Sequence, residues 1–322
     1  MKGIVDNNQT WIDFTTAFRD PLMCRYCEER GSLECLVDRR PMKILSRTLI
    51  ALVSYWFMAG SACAETEADI AEESMNPLST VIAIPFENNT LFNIGPAEST
   101  ANILNIKPIF PVDLGNWNLI NRVTAPIVYT QGQDDIVDGD FNWGGANPGS
   151  FGLGSAFGLA DITYQGFITP AKAGEVAWGL GGSLVMPTHT DDRFGTDKWS
   201  AGPAVVMFSS QGNWVLGMIA QNIWSFAGDS DAADVNVFSA QIGVNYRLKD
   251  GWYLTTAPLI SANWESDKGN RWTVPLGGGI GRLLKFEGMA IAIDAGAYYN
   301  VEKPRFANDW YSQILVNFLL PK

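Results

Sequence analysis

Residues 237–264 read VFSAQIGVNYRLKDGWYLTTAPLISANW, two alternating runs joined by Lys249-Asp250-Gly251. In the first, Phe238, Ala240, Ile242, Val244, Tyr246 and Leu248 share one face. Val237, Ser239, Gln241, Gly243, Asn245 and Arg247 share the other. In the second, Trp252, Leu254, Thr256, Pro258, Ile260, Ala262 and Trp264 oppose Tyr253, Thr255, Ala257, Leu259, Ser261 and Asn263. Period two is the strand signature, because successive side chains point to opposite faces. Globular strands usually stop near about five or six residues, whereas a tilted membrane-crossing strand needs roughly nine to eleven. Both runs reach the longer length, so they read as membrane strands.

The same pattern recurs towards the C-terminus. Ile291, Ile293, Ala295, Ala297, Tyr299 and Val301 oppose Ala290, Ala292, Asp294, Gly296, Tyr298 and Asn300. Trp310, Ile314, Val316, Phe318 and Leu320 oppose Tyr311, Gln313 and Asn317. The apolar face is too extensive for a solvated exterior, and the small polar face suits a wet or loosely filled interior. Trp117, Tyr129, Trp178, Trp199, Trp214, Trp252, Trp264, Trp272 and Trp310 bracket these segments, as aromatic girdles do at the two membrane–water interfaces.

Composition agrees. The 322 residues include 32 Gly, 12 Trp, 17 Phe and 9 Tyr but one His, and charged residues make up 17%, below the usual level of about 25%. No stretch after residue 64 is apolar for the roughly twenty residues a membrane helix needs. From Glu65 onward, 14 Lys+Arg stand against 27 Asp+Glu, 14 less 27, a formal charge of −13. That balance argues against nucleic acid as a partner. All four cysteines, Cys24, Cys27, Cys35 and Cys63, precede residue 65, so the rest has neither disulfides nor thiol chemistry.

Residues 42–64, MKILSRTLIALVSYWFMAGSACA, read as a signal peptide: Lys43 and Arg47, then an apolar Thr48–Gly60, then Ala62-Cys63-Ala64 as a small-x-small cleavage pattern. Cleavage is expected before Glu65. A lipidated Cys63 is disfavoured by Gly60, which stands where a lipobox carries Leu. Residues 1–41 read as an extension from a start codon assigned too early, with Met42 the true start. Cys24-x2-Cys27 and Cys35 lack a convincing fourth ligand for structural zinc, so no metal is expected. Residues 65–77 then form a periplasmic segment and 78–322 the barrel.

Connections alternate in length. Asp113–Asn116, Ala171–Glu175, Ser209–Asn213, Lys249–Gly251 and Lys285–Gly288 are short. Thr130–Ala156, Pro187–Asp197, Ala227–Asp234, Glu265–Asn270 and Glu302–Asp309 are longer. Outer-membrane barrels combine short periplasmic turns with longer outside loops and an even strand number. Eleven segments follow Ile103, and Leu78–Phe86 (LSTVIAIPF) is the candidate for one more. The expectation is therefore an all-β, closed antiparallel transmembrane β-barrel of about 12 strands. Its long loops carry most of the acid, including Asp134, Asp135, Asp138 and Asp140, Asp191, Asp192 and Asp197, and Asp229, Asp231 and Asp234. Acidic surfaces keep proteins soluble, and plain solvation is the simpler reading beside cation-bridged contact with lipopolysaccharide.

A series of short motifs carries a family resemblance: ENNTLFNIGP (87–96), NILNIKPIFPV (102–112), NWNLINR (116–122), FGLADI (157–162), LVMPT (184–188), KWSAGPAVVM (198–207), WSFAG (224–228), WTVPLGGGIG (272–281) and AYYNV (297–301). In this order the chain resembles the outer-membrane family labelled putative MetA-pathway of phenol degradation, over nearly all of residues 80–322. The resemblance implies a barrel transporter encoded near aromatic-catabolism genes, and it carries no established site residues. Barrels of this kind commonly end in an aromatic residue; this chain ends FLLPK, which leaves that part to Phe318.

Parity places Lys107, Arg122, Asp161, Gln241, Arg247, Asp294 and Gln313 inside, together with Tyr253, Tyr298 and the glycines 179, 181, 277, 279 and 281. The candidate solute path is Arg122, Asp161, Arg247, Tyr253, Asp294 and Tyr298; an ion-pair network bracing neighbouring strands is the equal alternative for its charged members. The glycines suit strand curvature or close packing of an N-terminal plug. The expected function is passive, porin-like uptake of a small hydrophobic or aromatic compound. Expected partners are outer-membrane lipid, lipopolysaccharide and the barrel-assembly machinery, and no cofactor is expected. The alternatives are a structural or adhesive barrel with a closed lumen, and a rim hydrolase using His189 with Asp191 or Asp192. The last lacks a nucleophile motif, so the chain reads as a non-enzyme.

Overall fold

The computed structural model describes residues 75–78, 80–131, 154–172, 174–286 and 289–320. The signal peptide, residues 1–41 and the acidic cluster at Asp134–Asp140 lie outside them. The described chain forms 12 antiparallel spans. They are β1 (Ile82–Ile94), β2 (Ser99–Ile106 and Ile109–Asp113), β3 (Trp117–Thr130), β4 (Ala156–Leu159 and Ile162–Pro170) and β5 (Val176–Met186). β6 (Lys198–Gln211), β7 (Trp214–Gly228), β8 (Asn236–Arg247) and β9 (Trp252–Thr256 and Leu259–Asn263) follow. β10 (Trp272–Phe286), β11 (Met289–Glu302) and β12 (Trp310–Leu320) complete the series. Each span pairs with its sequence neighbour, and β12 pairs with β1 from Ile82↔Leu320 to Phe92↔Trp310. That last ladder closes the sheet, so among the described residues no edge strand is left to expose unpaired backbone groups.

The first span differs from expectation. It begins at Ile82 and continues to Ile94, eight residues beyond Phe86. Asn88, Asn89 and Thr90 make it look polar on both faces. Asn88 and Thr90 nevertheless point outward, where Asn102 bonds both: Asn88 Nδ2 donates to Asn102 Oδ1 at 2.9 Å, and Asn102 Nδ2 donates to Thr90 Oγ1 at 3.0 Å. Mutual bonding lets polar groups sit on the outer face without leaving donors unpaired.

Three spans are interrupted midway, at Lys107-Pro108, Ala160-Asp161 and Ala257-Pro258. Proline has no N–H to give the ladder, and neighbouring groups close the gaps: Lys107 N donates to Pro85 O at 2.9 Å and Val123 N to Pro108 O at 3.1 Å. At Ala257 the inward side chains do this work. Tyr298 Oη accepts from Ala257 N at 3.2 Å, and Gln241 Nε2 donates to Ala257 O at 3.0 Å. The turn after β8 has positive φ at Asp250 (56°) and Gly251 (76°), the two-residue geometry that Asp-Gly favours between twisted strands.

Outward side chains remain exposed: Leu180 at 59%, Leu276 at 58% and Ile314 at 53%. Aromatics ring both ends. Trp117–Trp178 (6.3 Å) and Trp214–Tyr246 (4.8 Å) lie at the short-turn end. Stacked Phe92–Trp310 (4.1 Å) and edge-on Trp264–Trp272 (5.6 Å) lie at the long-loop end. An apolar belt between two aromatic rings is what a bilayer requires. The interior is layered. At the turn end Ile120, Phe167, Val206, Phe208, Val215 and Leu319 form an apolar cluster with Leu78. At the loop end Ile94, Ile103, Val128 and Phe194 form another. Between them lies a polar zone.

Parity makes a direct prediction. Ile314→Arg faces lipid and should destabilise the barrel by about 2–4 kcal/mol, while Gln313→Arg, one residue away and facing inward, should cost far less. Denaturant titrations of protein folded into lipid vesicles measure both. Equal penalties would contradict the assigned faces.

Candidate functional site: a two-chambered lumen

The polar zone separates two cavities on the inside of the barrel. The outer one is lined by Leu91, Ile103, Asn105, Leu259, Asn300 and Tyr311 among others. The inner one is lined by Pro77, Asn245, Tyr253, Thr255, Asp294 and Asn317 among others. Both share Glu87, Lys107, Arg122, Ile219, Gln241, Ala257 and Gln313, so these seven form the junction. All seven face the lumen, Lys107 and Ala257 from the interruptions of β2 and β9, which places them on one ring although they come from β1, β2, β3, β7, β8, β9 and β12.

Charge is concentrated at this ring. Lys107 Nζ lies 2.8 Å from Glu87 Oε1. The same oxygen accepts from Asn89 Nδ2 at 2.9 Å and from Asn105 Nδ2 at 3.2 Å. Arg122 sits on β3 across from Gln165 on β4 and Ile109 on β2. Gln165 Nε2 donates to Gln221 Oε1 at 2.7 Å, and Gln313 Nε2 to Asn89 Oδ1 at 3.0 Å. The amides thus brace the ring across strands remote in sequence.

Below the ring, Tyr253 is buried and its hydroxyl donates to Asp294 Oδ2 at 3.0 Å. Gly281 stands between them in register, paired with Tyr253 on β9 and with Asp294 on β11. A side chain at Gly281 would collide with the Tyr253 ring, so the glycine is what lets the phenol cross to the carboxylate. Residues 75–78 border this inner chamber: Met75, Asn76 and Pro77 line it, and Leu78 packs into the apolar cluster at the turn end.

The six residues of the expected path are placed differently from one another. Arg122, Tyr253 and Asp294 line the cavities. Tyr298 lies behind the wall, stacked on Tyr311 at 4.9 Å with an interplanar angle of 16°; Tyr311 is the ring that meets the outer cavity. Arg247 ends β8, where its guanidinium donates to Ser210 Oγ at 2.8 Å and Gly212 O at 2.7 Å, tying two short turns together. Asp161 is fully buried at the interruption in β4. Its Oδ1 accepts from Thr188 N (3.1 Å), His189 N (3.2 Å) and His189 Nδ1 (2.7 Å), and its Oδ2 from Thr196 N (2.9 Å). The carboxylate therefore holds the 187–197 loop over the rim instead of facing the path. In that loop the Arg193 guanidinium, bonded to Asp191 at 2.7 Å, holds the Asp191 carboxyl below its usual range.

Glu87, Ile219 and Tyr311 are among the lining residues not singled out in advance. Continuing the alternation Ala83, Pro85, Glu87, Asn89, Leu91 past Phe86 would have found the first. Tyr311 differs from Tyr298 only in depth, which parity does not report.

A closed 12-stranded antiparallel sheet with a lipid-compatible belt, two aromatic rings and a polar interior defines a β-barrel of the outer-membrane type. The chain belongs to the family described as "Putative MetA-pathway of phenol degradation", which matches residues 93–310. No curated protein matches the sequence. Among solved structures it is similar to the COG4313 outer membrane channel from Pseudomonas putida F1, at 14% identity and a TM-score of 0.53, over 76% of this chain and 96% of that one. Looser overlaps include the NanC porin (9% identity, TM-score 0.42, 75% and 100%) and the CymD monoaromatic hydrocarbon channel (8%, 0.39, 82% and 95%). The first shares the barrel fold with this chain; the other two overlap too loosely to inform it.

Two substitutions test the wall. Tyr253→Phe leaves Asp294 without its phenol donor and should cost about 1–3 kcal/mol of barrel stability, read as a lower midpoint in denaturant; an unchanged midpoint would contradict the pair. Asp161→Ala strips four donors of their acceptor and should free the 187–197 loop, seen as faster cleavage there by protease added outside intact cells. Cleavage no faster than in wild type would show that Asp161 does not hold the loop.

Proposed function

We propose that this protein is a passive channel of the bacterial outer membrane for small, apolar or aromatic compounds. The observation that carries this reading is the pair of cavities meeting at one shared ring. The outer chamber offers Leu91, Ile103, Leu259 and Tyr311 to an apolar body and amides to any polar substituent. A pocket that mixes apolar walls with a few placed polar groups is the usual form of a small-molecule site. Arg122, Tyr253 and Asp294 belong to the path; Asp161, Arg247 and Tyr298 hold its walls. Lipid and lipopolysaccharide surround the barrel, and assembly machinery inserts it.

A closed structural barrel is the second reading, and one observation favours it: residues 75–78 and the apolar cluster fill part of the turn end. Rim hydrolysis has less support. His189 is held between carboxylates, Nδ1 at 2.7 Å from Asp161 and Nε2 at 3.4 Å from Asp197, and among the described residues no hydroxyl bonds to the ring.

Radiolabelled toluene uptake by cells with and without the gene separates the two. The channel reading expects a slower initial rate in the deletion strain, restored by wild-type protein but not by Ile219→Trp, which fills the junction. Equal rates with and without the gene would leave the closed barrel standing.

A further inference from the structure

The geometry points to a carboxylate-binding site at Arg122, so that this channel recognises small organic acids carrying an apolar or aromatic body. The inference rests on the uptake reading above and names its solute class.

Arg122 is the one cation of the junction ring that lacks an ion-pair partner. Lys107 is paired with Glu87 at 2.8 Å. Among the described residues the Arg122 guanidinium makes no hydrogen bond and no ion pair. Glu87 acts on Arg122 through its charge alone, while one of its oxygens takes Lys107, Asn89 and Asn105 together. Gln165, across the ladder, turns its Nε2 to Gln221 and makes no bond to Arg122. The ring therefore holds two cations against one carboxylate and keeps a net positive charge.

An unpaired cation inside a barrel is costly unless something meets it. A guanidinium presents parallel N–H groups that fit a planar carboxylate through two bonds at once. A neutral alcohol or phenol offers one acceptor and no charge, so it leaves most of that fork unmet. The surroundings of Arg122 set the rest of the ligand. On the outer side stand Ile103, Leu259 and Tyr311, and Ile219 borders both chambers. A monocarboxylate with one ring or a short chain places its acid on Arg122 and its body among those side chains. On the inner side stand Asp294 and Asn317. Asp294 repels the anion, so the acid leaves Arg122 for the wet inner chamber without a second tight stop.

Equilibrium dialysis of the purified barrel in detergent at pH 7.5 tests this with labelled benzoate and its uncharged counterpart benzamide. Benzoate should bind wild type about tenfold more tightly or better, the scale of a charge-assisted bidentate pair. Arg122→Gln should remove that advantage, bringing benzoate down to the level of benzamide. Arg122→Lys keeps the charge without the fork and should fall between. Benzamide binding as tightly as benzoate, or Arg122→Gln holding benzoate like wild type, would overturn the site. Should the variants fail to show heat-modifiable migration, the wild-type ratio alone decides. The two readings fail separately: benzoate bound at Arg122 with no gene-dependent uptake sinks the channel, whereas gene-dependent toluene uptake with no benzoate preference sinks only the acid site.

Discussion

Backbone closure is the constraint on which the rest depends. Within a bilayer no water satisfies peptide groups, so a spanning sheet has to pair every strand on both sides. The ladder between β1 and β12 does this here, and it fixes everything downstream. Once the sheet is closed, each strand has one face to lipid and one to the lumen. Apolar residues on the outer face make the belt; whatever remains is pressed into a confined interior. Polar side chains inside then have to satisfy one another, which is why amides and charges from five strands meet at one ring. The same demand explains the proline interruptions, where Tyr298 and Gln241 take over the groups that the ladder of β9 drops.

The interior is a sequence of layers more than a uniform pore. Apolar clusters lie towards both ends and the charged ring lies between them. In the channel we propose, an apolar solute meets compatible surface first and the polar ring second. Specificity then depends on what the ring leaves unsatisfied. Glu87 and Lys107 cancel, the amides pair off, and Arg122 is left. The rim is organised separately, by Asp161 under the 187–197 loop, so loop position and ring chemistry can vary independently.

Much of the fold was legible because alternation, strand length and aromatic placement all follow from the bilayer. Parity put Arg122, Tyr253 and Asp294 on the inner face, and loop lengths gave the even strand number. Other features were hidden for physical reasons. Asn88 and Thr90 face outward and satisfy each other through Asn102, so β1 looked as if it ended at Phe86 and Glu87 was passed over. At Asp161 parity reports the inner side but not the partner: the carboxylate is taken up by the 187–197 loop, a tertiary contact without a local signature. Tyr298 and Tyr311 face the same way, and only three-dimensional depth separates the wall from the surface. The packing of Leu78 among turn-end side chains is a tertiary contact with no local signature.

Because no cysteine follows Cys63, single cysteines can be placed one at a time along β12 and their surroundings read directly. With the barrel in lipid vesicles, cysteines at 311, 313, 315 and 317 should react with a small water-soluble thiol reagent. Fluorophores attached at 312, 314, 316 and 318 should instead be quenched by bromine-labelled lipid. A pattern without this two-residue period, or labelling confined to both ends, would contradict a closed barrel with a wet interior.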